Sequence, residues 1–336
     1  MSDSQNSNMV DGSSHQYVVN PAFNLIRSNP DSVAVKLGSR SATSRQLTDS
    51  GRNGILADLL ESWTTPMSLE QGRGLVEAEA ALVDELLKFL IQEKVLIQAP
   101  ELESHALLYA MGLESGKIGN SSIGVIGKGS LCLPITDYLL DAGVGRLWVC
   151  TDETSPPADR IKQVGSDPYD SSALDQVAQE AHLVICATPT PDLELLFRLN
   201  SILIDAGKPW LPVIMDGGEI QVGPLLGTSS GPCYNCLDAQ DEAGRTQLIP
   251  FLAYKASVFR SNNFTRRALP HFFSDMVASW AALAALHIVA GLSSFASDYR
   301  IRFDVERFEM TRDRVLTLPR CPACKTKIAD YRHPFM

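Results

Sequence analysis

Two Cys-x-x-Cys pairs dominate what this chain can fold into. They stand in Gly231-Pro232-Cys233-Tyr234-Asn235-Cys236-Leu237 and Leu318-Pro319-Arg320-Cys321-Pro322-Ala323-Cys324. Four thiolates in two such knuckles form a tetrahedral cage suited to zinc. One shared ion would pin the last part of the chain to a loop in its middle. A site closed by four cysteines is structural and leaves no open position for chemistry.

The other three cysteines, Cys132, Cys150 and Cys186, lie alone in apolar segments and read as buried free thiols. Free thiols beside a metal-thiolate site indicate a reducing cytoplasm. At 336 residues the chain has room for two domains, and 45% hydrophobic with 20% charged residues describes an ordinary soluble protein. A net charge of -10 disfavours general affinity for nucleic acid, which needs a basic surface. Residues 1–16 are polar, lack a hydrophobic signal region, and read as a disordered tail. Met276 to Leu292 is the membrane candidate; it is short and Ala-rich and contains Ser279 and His287, so it reads as a core or interface helix.

Residues 17–98 read as one small module. Tyr17 to Ile26, Ser32 to Leu37 and Ser41 to Leu47 have the pattern of three strands. Thr48 or Asp49 is expected to cap a helix carrying Ile55, Leu56, Leu59, Leu60 and Trp63. Ser68-Leu69-Glu70-Gln71 is a candidate capping box, and Glu77 to Glu93 a third helix with one apolar face. The order resembles a winged helix-turn-helix. Glu77, Glu79, Asp84 and Glu85 make the third helix acidic, which argues against reading DNA. The module also resembles the precursor-recognition element of ribosomal-peptide modifying systems, which adds a leader peptide as a strand beside its third strand and third helix. That resemblance implies contacts from Thr43, Arg45, Leu47, Leu82, Glu85 and Phe89. The alternative is a small domain that only packs on its neighbour.

From Ser122 the chain runs an apolar strand into Gly127-Lys128-Gly129-Ser130, then a helix from Leu131 to Asp141 and a strand from Leu147 to Cys150. This is a dinucleotide-type βαβ start, weak evidence on the glycines alone. Together with Leu139 to Val149, Ala181 to Thr188, Leu199 to Pro209 and both knuckles, residues 105–330 resemble the ThiF/MoeB family, relatives of ubiquitin-activating enzymes. The resemblance implies an α/β fold of Rossmann type, a zinc site of four cysteines and a homodimer.

It also exposes departures. The family's Gly-Gly-x-Gly loop is here Gly129-Ser130-Leu131-Cys132; of its Asp-x-Asp only Asp152 remains; its catalytic arginine motif is replaced by Thr154 to Arg160; and Pro189 stands where a magnesium aspartate belongs. Gly127, Gly129 and Asp152 thus mark a degenerate nucleotide site, and no catalytic residue is assigned. Arg160 and Lys162 could still act from displaced positions. Asp238 to Arg245 and the basic segment Phe251 to Arg267 read as a crossover loop, either solvated or touching a partner. His271 to Ala290 reads as a buried helix in which His271 and His287 are core or interface residues, and Tyr299 to Leu318 as a hairpin delivering the second knuckle.

The combination resembles the Ocin-ThiF-like, or C-protein, group of azoline-forming synthetases. There a partner binds the leader and delivers it to a YcaO cyclodehydratase. The alternative is an active ATP-dependent adenylating enzyme.

Overall fold

The computed structural model describes residues 15–40, 44–99, 103–153, 158–261 and 270–325. The chain divides into two units, Met1–Glu114 and Ser115–Met336.

In the first unit, the run expected as one strand from Tyr17 to Ile26 breaks at Asn20-Pro21-Ala22. The buried Asn20 side chain accepts from the Ala22 N–H at 3.0 Å and donates to the Lys94 carbonyl at 3.4 Å. The break separates β1 (Tyr17–Val19) from β2 (Phe23–Asn29). β2, β3 (Ser32–Leu37) and β4 (Ser44–Thr48) form an antiparallel sheet in that order, which places β4 at an edge among the described residues. Val33 and Val35 pair with Leu47 and Arg45, and the apolar members of this set are buried.

Neither Thr48 nor Asp49 caps the next helix. The Asp49 carboxylate instead accepts from the backbone of Gly51 and Asn53 and from the Asn53 side chain, closing a loop. The helix α1 (Leu56–Ser62) starts after it, from Ile55. At α2 (Leu69–Arg73) the Ser68/Gln71 capping box is formed in both directions. Helix α3 (Ala80–Gln92) buries Val83, Leu86, Leu87 and Leu90, each contributing ~2 kcal/mol. Lys94, with φ of 61°, turns the chain out of the helix. Val95-Leu96-Ile97 suits a strand better than a further helical turn, and β5 (Leu96–Gln98) pairs antiparallel with β1. This unit ends in α4 (Glu103–Ala110).

The second unit opens with α5 (Ser115–Gly119) and the fully buried β6 (Ser122–Gly127). A 3-10 turn at Gly129–Leu131 leads into α6 (Cys132–Asp141) and β7 (Arg146–Thr151). Next come β8 (Ile161–Gly165), α7 (Ser171–Glu180), β9 (Leu183–Thr188), α8 (Leu193–Ala206), β10 (Trp210–Asp216) and β11 (Glu219–Val222). The chain then forms α9 (Tyr234–Ala243), α10 (Leu248–Ser261), α11 (His271–Val289), β12 (Tyr299–Asp304) and β13 (Glu309–Arg314).

One eight-stranded sheet runs β13-β12-β11-β10-β9-β6-β7-β8. The five strands from β10 to β8 are parallel, and β11 to β13 extend the sheet antiparallel. Continuous burial of β6, β9 and most of β10 fits parallel strands covered on both faces. Helices α6 and α11 pack together, and α7 packs on α8. The helix α11 is the one described helix long and apolar enough to cross a membrane. Its Val277, Ala278, Ala281, Ala284 and Ala285 are buried against the rest of the unit.

The basic segment from Phe251 is α10 as far as Ser261, not a loop. Lys255 is turned inward because the carboxylates of Asp238 and Glu242 receive it at 2.7 and 2.6 Å. Arg266 and Arg267 lie outside the described residues.

Candidate functional site

Of the six expected peptide contacts, Leu82, Glu85 and Phe89 line one groove. Leu82, Glu85, Leu86 and Phe89 recur at helical spacing along α3, and with Thr48 to Gly51, Asn53 and Ile55 they line a cavity of about 270 Å³ beyond the end of β4. Arg45 of β4 reaches the other end of the helix, where its guanidinium donates to the Glu93 carboxylate at 2.9 Å and lies 5.3 Å from the Phe23 ring centre. Leu47 is buried in the core, so its side chain is not presented, and only its backbone stands at the edge. Thr43 lies outside the described residues. Asp49, Ser50, Gly51 and Asn53 line the groove, while Arg52 of the same loop does not; this was not legible in the sequence, because these polar residues read as a helix cap.

The second location is the carboxyl end of the parallel sheet. β7 follows β6 on one side and β9 lies on the other, so the chain switches direction between β6 and β9. In doubly wound sheets ligands enter at such a switch point. Gly127 ends β6 with φ of 155°, and a Cβ there would stand 1.8 Å from the Ala187 carbonyl oxygen of β9, so this glycine serves close strand packing. Gly129 opens the 3-10 turn, and Asp152 is exposed just after β7.

The crevice itself holds three side chains that sequence reasoning missed. The Asp192 carboxylate, at the start of α8, is buried; it accepts from the Leu195 N–H at 3.1 Å and the Tyr169 hydroxyl at 2.6 Å. Lys128 places its ammonium 3.6 Å from the same carboxylate and 4.0 Å from the Tyr169 ring centre. Burial, and then the bond to Asp192, push the Tyr169 phenol well up, so it stays a donor. The signal that could have found this cluster is Asp192 itself, a helix-capping aspartate four residues after the end of β9.

Burial pushes the Cys132 thiol up to about 12 and the Cys186 thiol well above its usual value. Both behave as small hydrophobes at neutral pH. Cys132 takes the loop position where a glycine was expected, and its sulfur lies 3.7 Å from the Ala187 carbonyl.

The third location joins the two knuckles. The Sγ atoms of Cys233, Cys236, Cys321 and Cys324 all lie within 4.8 Å of one another. The contacts Cys233–Cys236, Cys233–Cys321 and Cys236–Cys324 measure 3.8, 3.5 and 3.7 Å. A tetrahedral ion about 2.3 Å from each sulfur needs sulfur–sulfur edges of about 3.8 Å, so the four thiols fit a metal ion. Burial pushes the Cys233 thiol up to about 11. At Cys321 burial is outweighed by the backbone N–H groups of Cys324 and Ala323, which hold it at about 7. The first knuckle is fixed from beneath by buried Asn200 of α8. Its carbonyl accepts from the Tyr234 N–H at 2.8 Å, and its amide donates to Asn235 at 3.0 Å. Gly-Pro before Cys233 and Leu-Pro-Arg before Cys321 bring the knuckles in as turns.

No protein-family model matches the chain. It is homologous to a ThiF/MoeB-like protein, the sulfur carrier protein adenylyltransferase of Thermus thermophilus, at 24% identity over 252 residues, 64% of this chain and 88% of that one. Its fold is shared by the heterocyclase TruD, with a TM-score of 0.64 and 17% identity, over 92% of this chain. This chain spans 43% of TruD's length. The microcin C7 biosynthetic enzyme MccB, solved in complex with N-formylated MccA, aligns with a TM-score of 0.59 and 14% identity over 92% of this chain and 99% of its own. The expected likeness to ThiF/MoeB proteins is thus met.

Proposed function

We propose that this protein binds the leader of a ribosomally made precursor peptide and presents it to a separate modifying enzyme of YcaO cyclodehydratase type. The observation that carries the reading is the β4 edge, unpaired among the described residues, with the α3-lined groove at its end. An extended peptide on such an edge gains main-chain hydrogen bonds, and the groove supplies side-chain specificity. The first unit is read as a winged-helix recognition element on the same ground. The shared fold of TruD, a heterocyclase, and of MccB, solved with MccA, supports placing the chain in peptide modification.

In this reading the nucleotide crevice is degenerate. The ion pair between Lys128 and Asp192 supports this, because it spans the switch point where phosphates would enter. Losing one electrostatic catalytic group typically costs about two powers of ten in rate or more. Gly129-Ser130-Leu131-Cys132, Pro189 and the lone Asp152 depart together from the adenylating pattern. The four-cysteine site holds structural zinc, which would keep the second knuckle on the first. The protein works as a homodimer in the cytoplasm, with no nucleic acid or membrane partner.

A second reading, an active adenylating enzyme, is favoured by the homology to an adenylyltransferase. Pyrophosphate exchange with ATP in the presence of a precursor peptide separates the two: the scaffold reading expects none above background.

A further inference from the structure

We infer that the α3 groove selects a leader segment carrying a lysine or arginine beside a large apolar side chain. This rests on the leader-binding reading and names the chemistry of its ligand.

The groove has an apolar floor, made by Ile55, Leu82, Leu86 and Phe89, and an acidic rim at Asp49 and Glu85; among the described residues no basic side chain lines it. The two carboxylates differ. Asp49 already accepts three N–H groups of its own loop. Glu85 is exposed, and among the described residues no hydrogen bond or ion pair engages its carboxylate. The one cation of β4, Arg45, is held by Glu93 and by the face of Phe23. An acidic leader therefore meets two carboxylates in the groove, whereas a basic side chain meets Glu85 with its stem along Phe89 and Leu82. Lysine and arginine suit this arrangement because their methylenes cover apolar surface while the charge stays at the rim. Repulsion of the wrong sign contributes to selectivity alongside attraction of the right one. A strand continuing past the end of β4 turns alternate side chains to one face, so the basic and apolar residues sit two positions apart.

The test uses the full chain on an array of short random peptides, alongside Glu85→Gln and Glu85→Lys variants whose melting is checked. The expected result is enrichment of lysine or arginine near leucine, isoleucine or phenylalanine. For a selected basic peptide, Glu85→Gln should weaken binding several-fold and Glu85→Lys on the order of tenfold, with glutamate in place of the peptide's lysine restoring binding to the latter. Enrichment of acidic or neutral peptides, or indifference to Glu85→Lys, would overturn the inference and leave leader recognition standing. No peptide bound above background would overturn both.

Discussion

The Lys128 ammonium lies 3.6 Å from the Asp192 carboxylate, joining the end of β6 to the start of α8 across the point where the sheet changes direction. A nucleotide in that crevice would have to displace a cation already matched to a buried anion. Tyr169 strengthens the lock by donating to the same carboxylate from α7's entry loop.

That lock is testable by removing either end. Lys128→Met leaves a buried carboxylate with one charge partner fewer, and Asp192→Asn removes the acceptor that two side chains share. Each change is expected to lower the unfolding free energy by about 1–3 kcal/mol in urea denaturation. If the crevice is degenerate as proposed, neither variant gains ATP affinity by isothermal titration.

The thiol of Cys132 links stability to alkaline pH. Its folded-state value is raised from 9.0 to about 12 by burial. Well below pH 9 the thiol is neutral in both states and contributes no pH dependence. Above pH 9 the unfolded thiol ionises while the folded one does not, so stability falls as pH rises. The slope from this group is about 1.4 kcal/mol per pH unit until the folded thiol titrates. Denaturation midpoints followed from about pH 8 to about pH 10 should fall less steeply in Cys132→Ala than in the unaltered protein.

Metal removal should loosen the second knuckle. Elemental analysis is expected to find one zinc per chain, and Cys321→Ser to abolish it. Because the cysteines bind as thiolates, acid should displace the ion as protons compete for sulfur. Chelated protein should show faster amide exchange around Leu318 and Cys321 than in β6 or β9.

Asn200 offers a further test of the first knuckle. Replacing it with alanine strands the buried Tyr234 N–H that opens α9. The expected cost is about 2 kcal/mol. Asn200→Asp should be milder, because an acceptor remains.

Phe89→Ala should separate recognition from stability. The ring is partly exposed in the groove, so its loss is expected to weaken a bound leader about tenfold. Its effect on melting should be smaller than that of Leu90→Ala, whose side chain is wholly buried.

Much of this architecture was legible in the residues. The knuckles announced their own meeting, since few arrangements other than a metal site explain two Cys-x-x-Cys pairs in a chain with free thiols elsewhere. The β6 strand and its glycine turn were legible from an unbroken apolar run ending in Gly127. What stayed hidden depends on partners distant in sequence. Lys255 belongs to a basic stretch and becomes an interior residue only because Asp238 and Glu242 lie one helix away. Tyr17 to Ile26 has the composition of one strand and is two, because Asn20 bonds to Lys94, 74 residues later. Lys128 stands between two glycines; its contacts depend on Asp192 and Tyr169, which local patterning does not connect.

In the proposed division of labour, this chain supplies peptide binding and a partner enzyme supplies ATP chemistry. Intact-mass spectrometry of a precursor peptide incubated with ATP tests it most directly, using this protein alone, a YcaO-type cyclodehydratase alone, and both together. Water loss from the peptide is expected only, or far faster, when both are present, and an unchanged peptide with this protein alone. Adenylation of the peptide by this protein alone, or cyclisation by the partner that is indifferent to this protein, would overturn that division of labour.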